Sequence, residues 1–126
     1  MAASKSFMSQ VQETLAGLGA VRFRRMFGGA GVYWDGVMFG LIDEDVLYFK
    51  VDDTTRGRFK ADGMGPFTYM TRHGPGSLTS YWRVPDRLFD EPEEMLEWAR
   101  EAAGVARRAA AGKSPRAKTR PTRRGP

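Results

Sequence analysis

The chain contains no cysteine. That absence excludes disulfide scaffolds, thiolate zinc sites and cysteine nucleophiles together. Histidine is almost as scarce. His73 is the single one, and in a loop flanked by glycine and proline it reads as a solvated residue, with no second histidine to complete a metal or triad constellation. No stretch approaches the roughly 18 apolar residues needed to cross a bilayer. No apolar core follows the polar start at residues 1–6, so no secretory signal is expected and the reading places the protein in the cytoplasm, away from membranes. Internal repeats are also missing.

Acidic and basic residues are unevenly spread. The net charge is +5, from 20 Lys and Arg against 15 Asp and Glu. Six of the cations (Lys113, Arg116, Lys118, Arg120, Arg123 and Arg124) fall in residues 113–126, which hold no acid. Removing those six leaves 14 basic against 15 acidic residues in 1–112, a net of −1. The basic character therefore belongs to the tail, and a basic footprint over a folded face is not what the totals show. With 41% apolar and 12% aromatic residues, residues 1–112 read as one globular domain. A folded part of roughly 100–110 residues can bury about two-thirds of its unfolded surface without a metal or a disulfide. Residues 113–126 have nothing to bury and read as a disordered tail.

The periodicities predict an α+β fold: an antiparallel β-meander of about five to six strands, with an N-terminal helix, a short middle helix and a C-terminal helix. Phe7, Val11, Leu15 and Leu18 share one helical face, with Ser6 as N-cap and Gly17 or Gly19 as the stop. Residues 21–27 alternate, with Val21 and Phe23 on one side and Arg22 and Arg24 on the other. Residues 31–34 and 37–42 flank Asp35-Gly36, a strong hairpin signal, and a turn at 43–45 leads into a strand at 46–51. Asp52 or Asp53 caps a short helix over 54–61 that anchors through Phe59 and closes at Gly63. Two further strands are expected at 66–70 and 80–84, with a mobile loop over 71–79 marked by Gly74-Pro75-Gly76. Asp90 and Glu93 form a capping box for the last helix, whose apolar stripe is Met95, Leu96, Ala99, Ala102, Ala103 and Ala106.

No catalytic, metal-binding or cofactor-binding residue emerges. The serines lack a nucleophile elbow. Gly28-Gly29-Ala30-Gly31 is followed by neither Gly-Lys-Ser/Thr nor a helix, so it reads as a bend and not as a phosphate cradle. The acids at 43–45 and at Asp52 and Asp53 suit turn and cap duties better than a cation site. Tyr33, Trp34, Tyr48, Tyr81 and Trp82, beside Arg22, Arg24, Arg25 and Arg83, could stack single-stranded nucleic acid. A small α+β core needs such side chains, and packing is the favoured reading of them.

At Arg25 to Gly29, with Gly31 to Tyr33 and Asp35 to Phe39, the chain resembles the N-terminal domain of the TfoX/Sxy competence-regulator family. The likeness continues through residues 47–50, 66–69, 80–83 and 92–99, covering about 7 to 108 in order. The resemblance implies an α+β fold with an antiparallel sheet and flanking helices. Full-length members carry a second, helical domain and are associated with activating competence genes alongside the cyclic-AMP receptor protein. The resemblance brings no catalytic residues. It implies a shaped bend built on Met26, Phe27, Gly28, Gly29 and Gly31. The expected function is then a non-catalytic regulatory or adaptor domain that binds a protein, or a second copy as a homodimer, with Arg22, Arg24, Arg25, Tyr33 and Trp34 as candidate contacts. The alternative is weak, non-specific DNA or RNA contact through the basic tail.

Overall fold

The computed structural model describes residues 3–26 and 28–112. In chain order the elements are helix α1 (Lys5–Thr14), strands β1 (Val21–Met26), β2 (Gly29–Trp34), β3 (Val37–Asp43) and β4 (Val46–Lys50), helix α2 (Arg56–Ala61), strands β5 (Pro66–Thr71) and β6 (Gly74–Arg83), and helix α3 (Pro92–Gly112). Short 3-10 turns cover Ala16–Leu18 and Asp86–Asp90. The fold is α+β, with six antiparallel strands in the order β1-β2-β3-β4-β6-β5.

Two-residue turns join the strands of the first half. Asp35 and Gly36 have φ of 52° and 82°, and Glu44 and Asp45 have 51° and 57°. Paired positive φ values match the twist of the flanking strands, so both connections act as tight hairpins. The expected meander runs from β1 to β4. There α2 carries the chain past one position, and β6 returns to pair with β4 while β5 takes the edge.

The largest departure from the sequence reading lies in residues 71–79. In place of a loop, β5 and β6 form a ladder out to Thr71↔Gly74. Pro75 is tolerated because β4 pairs only with residues 81–83 of β6, so this part of β6 has a single neighbour and no second ladder to lose.

The inner face of the sheet carries the core. Phe39, Ile42, Phe49 and Val32 are fully buried there beneath α3, whose Ala99, Ala102, Ala103 and Ala106 are small enough to let helix and sheet approach closely. Two large α3 side chains lie outside the expected alanine stripe: Trp98 and Val105 are also buried. Phe59 anchors α2 as expected, with its ring edge-on to Trp98 at 4.8 Å.

Helix ends shift by a residue or two from their expected places. Ser4, not Ser6, caps α1, its Oγ accepting from the Phe7 amide at 3.1 Å. Ser4 also donates through N and Oγ to the Asp45 carboxylate, both at 2.8 Å, tying the helix to the β3–β4 turn. Ser4→Ala is expected to cost about 1 kcal/mol, measurable as a shifted urea midpoint at unchanged slope. The α-helical part of the first helix ends at Thr14, and Gly19 with φ 130° follows the 3-10 turn. Helix α2 starts at Arg56, because Thr54 and Thr55 are used in a turn around Asp52, which accepts from both of their amides. Asp90 belongs to the 3-10 turn, so α3 starts at Pro92 and the acid at its cap position is Glu91 rather than Asp90.

Candidate binding face

Strand alternation decides which side chains face away from α3. Directly paired residues share a face. The pairs Arg22↔Tyr33, Tyr33↔Met38, Gly31↔Leu41, Leu41↔Tyr48 and Tyr48↔Arg83 therefore define one continuous surface on the side opposite the core. No helix of the described residues packs on that side. It is an open sheet face.

The β5–β6 hairpin borders this face. Pro66 pairs with Trp82, but Phe67 pairs with Leu78, so β6 carries an irregular step over 79–81 that bends the hairpin towards the open face, where Phe67 meets Tyr48. The Phe67 ring meets Tyr48 edge-on at 5.0 Å, and Tyr69 stacks on Phe67 at 5.9 Å. Between the hairpin and the sheet lies an open groove of about 830 Å³. Met26, Met38, Leu41 and Tyr48 line it from the sheet, and Phe67, Tyr69, Met70 and Leu78 from the hairpin. Asp43 and Glu44 also line it. Met70 is 78% exposed, Tyr69 42% and Leu78 41%.

Burial acts on two of the tyrosines of this face, Tyr48 and Tyr81. Tyr81, whose hydroxyl donates to the Met38 carbonyl at 3.3 Å, has its phenol pushed up to about 12, mainly by burial and secondarily by Tyr33. Tyr48 is raised by burial first and by Asp43 next. Both phenols stay protonated in ordinary buffers, and the face is neutral at its centre.

Four of the five candidate contacts from the sequence, Arg22, Arg24, Tyr33 and Trp34, border one hollow along the β1 edge, and Arg25 stands apart from it. Arg22, Arg24 and Tyr33 gather on the open face, along the β1 edge. Arg25 has the opposite parity and donates to the Ala3 carbonyl at 3.0 Å. Trp34 packs against the inner core, covered by the Arg107 guanidinium at 5.0 Å, which also pairs with Asp35 at 2.6 Å. Of the motif residues, Met26 and Gly29 line the groove, Gly31 lies beneath Met26 and Met38, and Gly28 turns the chain with φ 82°. Phe27 and the tail cations Lys113, Arg116, Lys118, Arg120, Arg123 and Arg124 lie outside the described residues. The hairpin residues Tyr69, Met70 and Leu78 are absent from the sequence-derived set; the alternation at 67–70 groups only Tyr69 with Phe67, and Leu78 joins them through its pairing with Phe67.

A family model for the TfoX N-terminal domain matches residues 13–106. The chain belongs to that family. The matched span runs from the last turn of α1 into α3 and contains all six strands, so the open face and its hairpin lie wholly within the TfoX N-terminal domain. Among curated proteins, none matches the chain.

A second polar cluster in this TfoX N-terminal domain ties elements together at the opposite side. Arg87 donates to Asp62 at 2.9 Å, to Glu91 at 3.0 Å and to Glu94 at 2.9 Å, and the Trp98 indole donates to Glu94 at 3.2 Å. Arg87 holds the Glu94 carboxyl at about 2, with the Glu91 hydrogen bond second. Glu91 is raised, chiefly by that same bond with Glu94. A depressed carboxylate stabilises the fold above its ordinary value of 4.5 and loses that contribution as pH falls through about 2. Arg87→Leu is therefore expected to lower the urea midpoint at pH 7, with the gap to the parent protein closing as pH falls towards 2. A gap independent of pH would show that Arg87 acts by packing alone.

Among the described residues no group of three or more His, Cys, Asp or Glu is placed to hold a metal ion, and no helix is long and apolar enough to cross a membrane. His73 occupies the exposed β5–β6 turn, its amide donating to Thr71 Oγ1 at 3.1 Å.

Proposed function

We propose that this TfoX N-terminal domain is a non-catalytic regulatory or adaptor module that binds another protein through its open sheet face. One observation carries the reading: Met70, Tyr69 and Leu78 stand exposed beside a groove already lined with apolar side chains. Single exposed apolar residues need no explanation, but a contiguous patch beside a groove is the usual mark of a contact surface. The resemblance to competence-regulator domains supports a partner in transcription control and a cytoplasmic setting. A second copy of the chain is one such partner.

Capture from a cell extract tests the reading, using the whole chain and its Met70→Asp variant after nuclease treatment. A protein retained by the parent through a high-salt wash and lost by the variant supports it. Retention unchanged by Met70→Asp removes the open face as the site.

The alternative is nucleic-acid association. Its supporting observation is that Arg22, Arg24 and Tyr33 share one surface, both aromatic and cationic, with Arg83 and Tyr81. Binding of the whole chain to a DNA duplex would then fall with salt, at a log–log slope of about −0.9 for each phosphate contacted. Binding to an apolar groove responds weakly to salt.

A further inference from the structure

The groove differs from an ordinary apolar patch in two respects. Three of its lining residues are methionines, Met26, Met38 and Met70, drawn from β1, β3 and β5. Methionine is unbranched and polarisable, so a surface built from it adapts to the side chains of an incoming segment instead of fitting one shape. Among the described residues, the charged groups lining the groove are both acids, Asp43 and Glu44. The cations of the open face stand apart from this lining. Arg22 and Arg24 border a separate hollow along the β1 edge, and Arg83 lies 3.6 Å from Asp86.

We propose that the groove between the open sheet face and the β5–β6 hairpin receives an amphipathic segment of a partner protein that carries large apolar side chains on one side and Lys or Arg beside them. This deepens the protein-binding reading given above and rests on it. The methionines accept the apolar side chains, and Asp43 and Glu44 select the charge. An amphipathic segment laid in an apolar groove is an established mode of peptide recognition. Rim charges of this kind discriminate between partners more than they add affinity. An acidic segment would set its charges against the like charges of Asp43 and Glu44. A nucleic acid would do the same with its phosphates.

The probe is a synthetic amphipathic peptide of leucine and lysine, titrated into the isotope-labelled whole chain and compared with the same peptide in which glutamate replaces lysine. The expected result is a set of amide shifts confined to Met38, Leu41, Tyr48 and residues 67–70, seen with the lysine peptide and not with the glutamate one. The double variant Asp43→Asn with Glu44→Gln should weaken the lysine peptide about 3- to 10-fold, an effect that shrinks at high salt. Met70→Asp, at a position exposed enough to leave folding intact, should remove the apolar contribution and weaken binding further.

If the two peptides bind alike, or the charge-neutral double variant binds unchanged, the basic occupant is wrong while protein binding at the groove stands. If neither peptide shifts the groove amides and Met70→Asp also leaves capture from extract unchanged, the open-face reading fails with it. Groove shifts that grow with protein concentration, in the absence of peptide, would make a second copy the occupant and overturn the proposal.

Discussion

Trp98→Ala is expected to destabilise the domain by about 3–5 kcal/mol, a large part of the stability available to a domain of this size. The indole is only 3% exposed. It fills the space between α3 and α2, edge-on to the fully enclosed Phe59 ring, and the guanidinium of Arg58 covers it at 4.8 Å. Removing it leaves a cavity that Phe59 cannot close, because that ring is itself held on a short helix. It also takes the indole donor from Glu94. Trp98→Phe separates the two effects: the aromatic contact with Phe59 is kept and the N–H is lost, so the cost should be well below that of alanine. Equilibrium urea unfolding of the two variants measures both. Equal losses would mean that the hydrogen bond, and not the filled volume, is what α3 depends on.

Gly29→Ala is expected to cost about 1–3 kcal/mol, although the new side chain is a single methyl group. A Cβ at Gly29 would stand against the backbone carbonyl oxygen of Ile42 in β3, and a paired strand cannot swing aside as a side chain would. Gly28 provides the comparison. Its φ of 82° strains any L-residue, yet beyond its chain neighbours no atom of the described residues lies within 4 Å of a Cβ built there. Asparagine tolerates that backbone region, so Gly28→Asn should be mild while Gly29→Asn is severe. Midpoints from thermal or urea unfolding give the order directly. Parity between the two positions would show that β2 can shift relative to β3, and the close approach at Gly29 would then lose its significance.

These two positions also show what the sequence could and could not reveal. The first four strands were legible because alternation and turn chemistry agree there: Val21 and Phe23 turn inward, Arg22 and Arg24 outward, and Asp35-Gly36 supplies the paired positive φ. That Gly28 and Gly29 shape a bend was also legible. That Gly29 answers to a carbonyl of a different strand was not, because the register between β2 and β3 contains an irregularity at Val32/Tyr33 that no local pattern announces. The same irregularity lets Phe39 join Gly40 in the core.

The reach of the β5–β6 ladder was underestimated for a specific reason. Gly74-Pro75-Gly76 carries the composition of a loop, but the absent amide of Pro75 costs little where β6 has only β5 beside it. Trp34 was read both as a packing side chain and as a candidate contact, and it borders the hollow at the β1 edge while packing on the core. Its pairing with Val21 and Val37 turns it inward. Trp98 was passed over because the alanine stripe of α3 already satisfied the helical period, and a period alone does not say how wide the buried arc is. The groove was invisible for the most basic reason. It lies between a hairpin and a sheet, and only the irregular step over 79–81 brings the two together.

The strand order β1-β2-β3-β4-β6-β5 has a kinetic consequence. Every pairing within β1–β4, and the β5–β6 pairing, joins segments adjacent along the chain, so each can zip up from its own turn at a small loop-closure cost. The β4–β6 ladder must wait for about 30 residues to be gathered in, and it has only three residue pairs to show for it, Tyr48↔Arg83, Phe49↔Trp82 and Lys50↔Tyr81. Folding is thus expected to proceed as two local hairpin units that dock late. Substitutions at Phe49 or Trp82 should then speed unfolding more than they slow folding, whereas changes in the Asp35-Gly36 turn should act on the folding rate.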